Sequence, residues 1–331
     1  MAKVLITGGA GFIGLHLATR LLKEGFEVTL ADNFSRAIED ADLAAIANQP
    51  GLTLLTVDLM NKAEVESLGT DFSVIFHLAA IIGVAHVLER PYQVLTDNVI
   101  LLSNIVELAK RQRNFNRLLF ASTSEVYAGA AQTLDFLIPT PEDTAMCIPD
   151  RREARTSYML SKLYGEAMCL QSGLPVTIFR PHNIYGPRMG MSHVIPELCA
   201  RVRDLPKEGA LSIASPEHTR TFCYISDAVE QLIRIFSSGS CEGKIINVGS
   251  QAPEIKIKEL ASKILKVTDR EDLTLTFSPD TPGSPSRRCP DMSKLTALVG
   301  ECASVDLDTG IALTHEWYEK NVFAPGGRTA R

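Results

Sequence analysis

As far as about Arg180, short runs of β-branched and other apolar residues alternate with longer segments of helical periodicity. The runs predict strands over Lys3–Thr7, Glu27–Asp32, Leu52–Asp58, Val74–Ala79, Arg117–Ser122 and Val176–Arg180. The longer segments Gly11–Glu24, Tyr92–Arg113 and Ser157–Gln171 predict helices. Strands alternating with helices imply βαβ crossovers, hence an α/β chain whose parallel sheet is covered on both faces. Right-handed crossovers make that sheet doubly wound, with ligands bound at the carboxyl ends of its strands.

After about Gly186 the rhythm changes. Pro187, Pro196, Pro206 and Pro216 interrupt shorter, less regular elements. The pattern predicts a sheet domain over 1–186, a smaller mixed C-terminal lobe over 187–322 that binds substrate, and a flexible tail over 323–331. A strand near Ile245–Val248 is expected to rejoin the main sheet.

Composition narrows the classes. A 331-residue chain with 45% hydrophobic and 22% charged residues reads as an ordinary globular protein. A net charge of −6 argues against a nucleic-acid partner. No apolar run reaches the roughly 20 residues of a membrane helix, so no membrane partner is expected. The N-terminus runs straight into a strand with no leader-like segment. Seven scattered cysteines without a CxxC pair suggest reduced thiols and a cytoplasmic location. The histidines form no ligand-like spacing, and no metal is expected.

Candidate chemistry begins at Thr7-Gly8-Gly9-Ala10-Gly11-Phe12-Ile13-Gly14, directly between the first strand and the first helix. Gly8 and Gly11 permit a tight turn and close approach to a pyrophosphate; Gly14 permits close packing of helix on strand. Phe12 and Ile13 open the helix whose N-terminus faces that phosphate. This context, strand before and helix after, marks a Rossmann-type dinucleotide site. The second strand ends at Asp32-Asn33, where a carboxylate can accept from ribose hydroxyls and repel a 2′-phosphate. NAD is therefore expected rather than NADP, although Arg36 nearby pulls the other way.

Tyr158 and Lys162 are i,i+4 neighbours on one helix face. The ammonium would lower the phenol's ordinary pKa of about 10 and let the phenolate take a proton from a hydroxyl whose carbon is being oxidised. Ser122-Thr123-Ser124-Glu125-Val126-Tyr127 ends the fifth strand and places hydroxyls at the ligand crevice.

With these motifs in place, nearly the whole chain resembles the extended short-chain dehydrogenase/reductase family of nucleotide-sugar epimerases, dehydratases and decarboxylases. The resemblance is carried by the glycine loop, Asp58-Leu59, His77-Leu78-Ala79-Ala80, Thr123 to Tyr127, Tyr158 to Lys162, and Arg180-Pro181-His182-Asn183-Ile184-Tyr185-Gly186-Pro187. It implies that Asp58 and Leu59 flank the adenine, that Ala79 and Ala80 line the cofactor, and that Asn98 lies near it. It implies Tyr158 as base, Lys162 also on the nicotinamide ribose, and Thr123 on the sugar 4-hydroxyl. Asn183 would contact the nucleotide diphosphate, and Arg220 would reach the diphosphate or the nucleoside. The long helices Tyr92–Arg113 and Ser157–Gln171 would form a four-helix homodimer interface.

These enzymes are expected to oxidise the sugar C4 and use the ketone to activate a neighbouring carbon. Simple epimerases resemble Ser-Ser-Ser-Val-Tyr after strand five, whereas this chain has Glu125 beside Ser124. Arg155-Thr156-Ser157-Tyr158 and Arg288-Cys289-Pro290-Asp291 resemble the decarboxylase branch, whose arginine at the Arg288 position is thought to act near the sugar acid. Decarboxylation of a UDP-hexuronic acid is accordingly favoured, with 4,6-dehydration and 4-epimerisation as alternatives. A catalytically silent NAD-binding sensor is the alternative from another class; it would be expected to lack the tyrosine–lysine pair. Tyr127-Ala128-Gly129, His182 and the loop Met189-Gly190-Met191-Ser192-His193 depart from the branch patterns.

Overall fold

The computed structural model describes residues 2–133, 137–281 and 284–324. Seven strands form the main sheet: β1 (Lys3–Thr7), β2 (Glu27–Asp32), β3 (Leu52–Thr56), β4 (Val74–His77), β5 (Arg117–Ala121), β6 (Val176–Pro181) and β7 (Ile245–Val248). Their order is β7-β6-β5-β4-β1-β2-β3, and every neighbouring pair is parallel. The chain winds outward from β1 in both directions, so the β1–β4 boundary is the topological switch point where a crevice opens. Val4, Leu5 and Ile6 are fully enclosed, as expected for a strand covered on both faces.

Several strands end one or two residues before the apolar runs do. The ladder stops at Thr56 and His77, because the following residues leave the sheet to line the crevice at its carboxyl edge. The helix Phe12–Lys23 starts at Gly11 without a side-chain cap. Its first N–H groups are thus left for a ligand.

The helices Pro91–Lys110 and Ala154–Gln171 lie together on one face. Gly165 lets them approach: a Cβ there would stand 2.7 Å from the Phe120 ring and 3.0 Å from Leu102. The region after Gly186 is built of small pairings. Ala210–Ala214 runs parallel to Thr274–Ser278, while Thr219–Arg220 lies between Ile255–Lys256 and Arg287–Arg288. Its core is continuous with that of the sheet, since Phe236 meets Phe26 and Phe76 edge-on at 5.5 and 5.9 Å. Phe323 packs on Tyr318 with ring centroids 5.8 Å apart; of the tail expected over 323–331, residues 325–331 lie outside the described ones. Among the described residues no helix is long and apolar enough to cross a membrane.

Candidate active site

The glycine loop closes on itself and on its neighbours. Gly8 has φ +67° and donates to Ala31 O at 2.8 Å; Gly11 donates to Gly8 O at 3.1 Å. A Cβ on Gly8 would lie 2.8 Å from Ala79 N, and one on Gly14 would lie 2.6 Å from Gly8 O. These positions admit only glycine without displacing backbone. Asp32 ties the loop to the end of β2: its carboxylate accepts from Ala10 N at 3.1 Å and Phe34 N at 2.9 Å. Burial pushes the Asp32 carboxyl up, and those two bonds oppose the rise.

A cleft of about 270 Å³ opens above this loop. Gly8, Gly11, Phe12, Ile13 and Gly14 form its floor, Asp32 and Asn33 one end, and Leu59, Ala79 and Ala80 its wall. Asn98 does not face the cleft. Its buried amide holds a wall residue, donating to Ile81 O at 3.1 Å and accepting from Ile81 N at 2.7 Å. Asp58 is not brought to the cleft either: it is exposed, and its carboxylate accepts from Met60 N at 3.0 Å within its own turn.

Beside the cleft, β5 ends in Thr123 and the 3₁₀ turn Ser124–Tyr127. The Thr123 hydroxyl accepts from Glu125 N at 3.2 Å and is hydrogen-bonded to the Tyr158 hydroxyl. Ser124 is buried beneath the turn. Burial pushes the Tyr158 phenol up, the Glu125 charge adds to that rise, and the Thr123 bond and Arg36 oppose it.

Lys162 departs from the sequence expectation. The i,i+4 spacing does place it near Tyr158, with Nζ 6.0 Å from the ring centroid. Its ammonium, however, donates to Ala121 O at 2.7 Å and sits 4.9 Å from the Phe120 ring centroid. Burial pulls it down to about 8. Arg36 is a further cation that opposes the rise in the Tyr158 phenol.

Glu125 faces the C-terminal region, where Arg288 donates to its Oε1 at 2.7 Å. Arg288 beside it holds the Glu125 carboxyl below the ordinary range against burial, and Arg155 and Arg220 add to the effect. The parallel register of the two short strands sets Arg288 opposite Arg220. Arg220 is braced by donation to Pro285 O at 2.7 Å and to the Ser284 hydroxyl at 3.0 Å. Burial, with Arg288 adding, pulls it down to about 10. Two guanidinium groups side by side mark a place suited to an anion. Asn183, at φ +40°, donates to Thr221 O at 2.9 Å and fixes the segment that follows Arg220.

Sequence reasoning missed Arg188, which lines the same cleft. It is buried, pairs with Asp40 at 2.6 Å, and donates to Ala10 O at 3.0 Å and Gly11 O at 3.3 Å. The only signal was its place after Gly186-Pro187. His193 and Ser35 also line the cleft; nothing in their spacing announced it.

A glycine cradle at a helix N-terminus, a carboxylate at the end of the second strand and a wall of small apolar residues define a dinucleotide-binding α/β protein. The pattern of the NAD-dependent epimerase/dehydratase family matches residues 4–249. A UDP-N-acetyl-alpha-D-glucosaminuronate decarboxylase of Bacillus cytotoxicus is 33% identical over 330 residues, covering 96% of this chain and 98% of that protein. UDP-glucuronic acid decarboxylase 6 of Arabidopsis thaliana is 31% identical, covering 98% and 90%. Among solved structures, UDP-glucuronic acid 4-epimerase from Bacillus cereus, in complex with UDP-glucuronic acid and NAD, superposes with a TM-score of 0.82 at 25% identity over 96% of this chain and 99% of that one. The chain belongs to the NAD-dependent epimerase/dehydratase family and is an enzyme that uses NAD.

Proposed function

We propose that this enzyme decarboxylates a UDP-hexuronic acid after transient oxidation at the sugar C4. The observation that carries the reading is Glu125 held at 2.7 Å by Arg288, with Arg155 and Arg220 also facing it, next to the Thr123–Tyr158 pair. Three guanidinium groups around one carboxylate leave positive charge for a substrate bearing both a diphosphate and a sugar carboxylate.

The cradle fits the dinucleotide. Gly8, Gly11 and Gly14 leave the room that a Cβ would fill, with the backbone of Phe12 and Ile13 at the diphosphate. Asp32 and Asn33 would hold the adenosine ribose, with Leu59, Ala79 and Ala80 along the wall. Asn98 would act through Ile81. When bound, NAD supplies a reversible two-electron oxidation of the sugar carbon. Tyr158 takes the C4 hydroxyl proton, steered by Thr123, and Lys162 fixes the neighbouring backbone through Ala121. The resulting 4-ketone makes the C5 carboxylate a β-keto acid. Its C5–C6 bond breaks, the electron pair passes to the C4 oxygen, and carbon dioxide leaves. Arg288, paired with Glu125, would position the departing carboxylate, and the carbanion at C5 would take a proton from water. The 4-ketone would then be reduced again as Tyr158 returns its proton to the C4 oxygen, which leaves the cofactor oxidised as it began. Asn183 and Arg220, with the region 187–322, would hold the nucleotide diphosphate.

Tyr92 and Ile100, eight residues apart on one exposed helix face, and Tyr164 on its partner helix support homodimerisation through these two helices. Seven unpaired cysteines support a reducing, cytoplasmic location.

A side chain at Gly14 should empty the cradle. Gly14→Val is expected to yield folded protein with less than about a tenth of the wild-type NAD content, because the new Cβ meets Gly8 O. Quantifying nucleotide released on denaturation checks this.

The functional reading is tested by incubating purified protein with UDP-glucuronate, UDP-N-acetylglucosaminuronate, UDP-glucose, UDP-N-acetylglucosamine and GDP-mannose and following product masses. Loss of carbon dioxide from an acid substrate supports it. Loss of water, or an unchanged mass with altered retention, assigns dehydration or epimerisation instead.

A further inference from the structure

The Glu125–Arg288 contact joins two segments far apart in the chain, and neither is rigid through its own secondary structure. Glu125 lies in a four-residue 3₁₀ turn, and Arg288 in a strand of two residues. What fixes their separation must lie behind them.

Asn247 of β7 stands there, with no exposed surface. Its side chain makes four hydrogen bonds. Nδ2 donates to Thr140 O at 3.0 Å and to Asp291 O at 3.1 Å. Oδ1 accepts from the Tyr127 hydroxyl at 2.9 Å and from His182 Nε2 at 3.0 Å. Both donors and both lone pairs of the amide are used, as a buried amide requires.

The partners fall on the two sides of the site. Tyr127 is two residues beyond Glu125 in the same turn, and Asp291 is three residues beyond Arg288. Thr140 welds the second side further: its N donates to Cys289 O at 2.8 Å, and its O accepts from Asp291 N at 2.9 Å. The first side is anchored by Arg180, which donates to the Tyr127 hydroxyl at 2.8 Å and forms a double contact with Glu166 at 2.7 and 2.8 Å. Glu142, between the two, accepts from Asn247 N at 2.8 Å.

The amide has one workable orientation. Turned over, its oxygen would face the two carbonyl oxygens of Thr140 and Asp291. The same logic makes His182 a donor through Nε2, and burial keeps that imidazole neutral by pulling it down to about 3.

We propose that Asn247 is a positioning residue: its amide locks the turn bearing Glu125 to the segment bearing Arg288 and so sets the separation of that pair. The catalytic meaning of the pair rests on the decarboxylase reading above; the geometric role of Asn247 does not.

Asn247→Asp is the sharp test, because it keeps the shape while turning two donors into acceptors opposite two carbonyls. A crystal structure of the variant with NAD should show Glu125 and Arg288 parted beyond the 4 Å of an ion pair. With the hexuronic acid that wild type turns over, kcat should fall roughly ten- to a hundredfold, with NAD content unchanged. Glu125 is faced by Arg288, Arg155 and Arg220 and by the Tyr158 hydroxyl. Parting the strongest of these contacts lets its carboxyl rise towards the ordinary range, so the acidic limb of the pH profile should move to higher pH. If Asn247→Asp fails to fold, Asn247→Ser, which is smaller and uncharged, takes its place with the same expectations. An unparted Glu125–Arg288 pair in a folded variant overturns the proposal, as does an unshifted acidic limb with kcat within twofold of wild type. Wild-type protein inert towards every hexuronic acid would instead sink the decarboxylase reading, leaving the crystallographic separation to decide the role of Asn247.

Discussion

Replacing Tyr158 with phenylalanine is expected to lower turnover by about 10²–10⁴-fold, the span contributed by a positioned general acid or base, while NAD content stays at the wild-type level. The hydroxyl is the atom that bonds Thr123 beside the cleft, and phenylalanine removes it alone. The ring keeps its place on the helix Ala154–Gln171, so the fold has no reason to fail. Burial and Glu125 raise this phenol, and the protonated form cannot accept the sugar proton. Activity of the wild-type enzyme should therefore rise with pH on its acidic side. In the variant the part of that dependence set by the phenol should vanish along with the rate, leaving only the limb set by Glu125. A sensor that merely bound NAD would be untouched by the same change, so steady-state turnover beside nucleotide content separates the two.

Arg288→Met is expected to reduce decarboxylation on the order of a hundredfold. Methionine keeps an unbranched stem but removes the guanidinium that donates to Glu125 at 2.7 Å. Two effects combine. The substrate carboxylate loses a partner, which raises KM, and Glu125 loses its largest stabilising charge, so its carboxyl rises and the acidic limb moves up in pH. Arg220 remains in the adjacent register position, so binding of UDP alone should weaken much less than binding of the sugar acid. Comparing titrations of UDP and of UDP-glucuronate on the variant separates a sugar-acid role from a general diphosphate role.

Much of the sheet could be read in advance because a parallel strand buried on both faces leaves an uninterrupted apolar run. Val4-Leu5-Ile6 of Lys3–Thr7 announces itself in that way, and Glu27–Asp32 and Ile245–Val248 show the same run broken once, at Thr29 and at Asn247. The glycine loop was equally legible, since close backbone approach excludes any side chain at Gly8 and Gly14. Legibility failed where a side chain chooses between partners in three dimensions. Asp58 sits in a suitable sequence position but turns back to cap its own turn. Lys162 has the right spacing from Tyr158, yet a carbonyl from β5, 41 residues away in sequence, claims its ammonium. Arg188 carries no motif of its own and is buried against a loop 178 residues distant. The pairing of Arg288 with Glu125 spans 163 residues and depends on the register of two-residue strands, which no local pattern encodes. The family resemblance supplied Arg220 and Arg288 as candidates; the side-by-side placement came only from the fold.

The central claim is that carbon leaves the sugar as carbon dioxide while NAD is regenerated. Its most direct test incubates the enzyme with UDP-glucuronate and with UDP-N-acetylglucosaminuronate labelled at the C6 carboxylate, trapping the gas released. The account predicts labelled carbon dioxide equal to the UDP-sugar consumed, with no net change in NAD. Consumption of either acid with the label retained in the sugar product would contradict it.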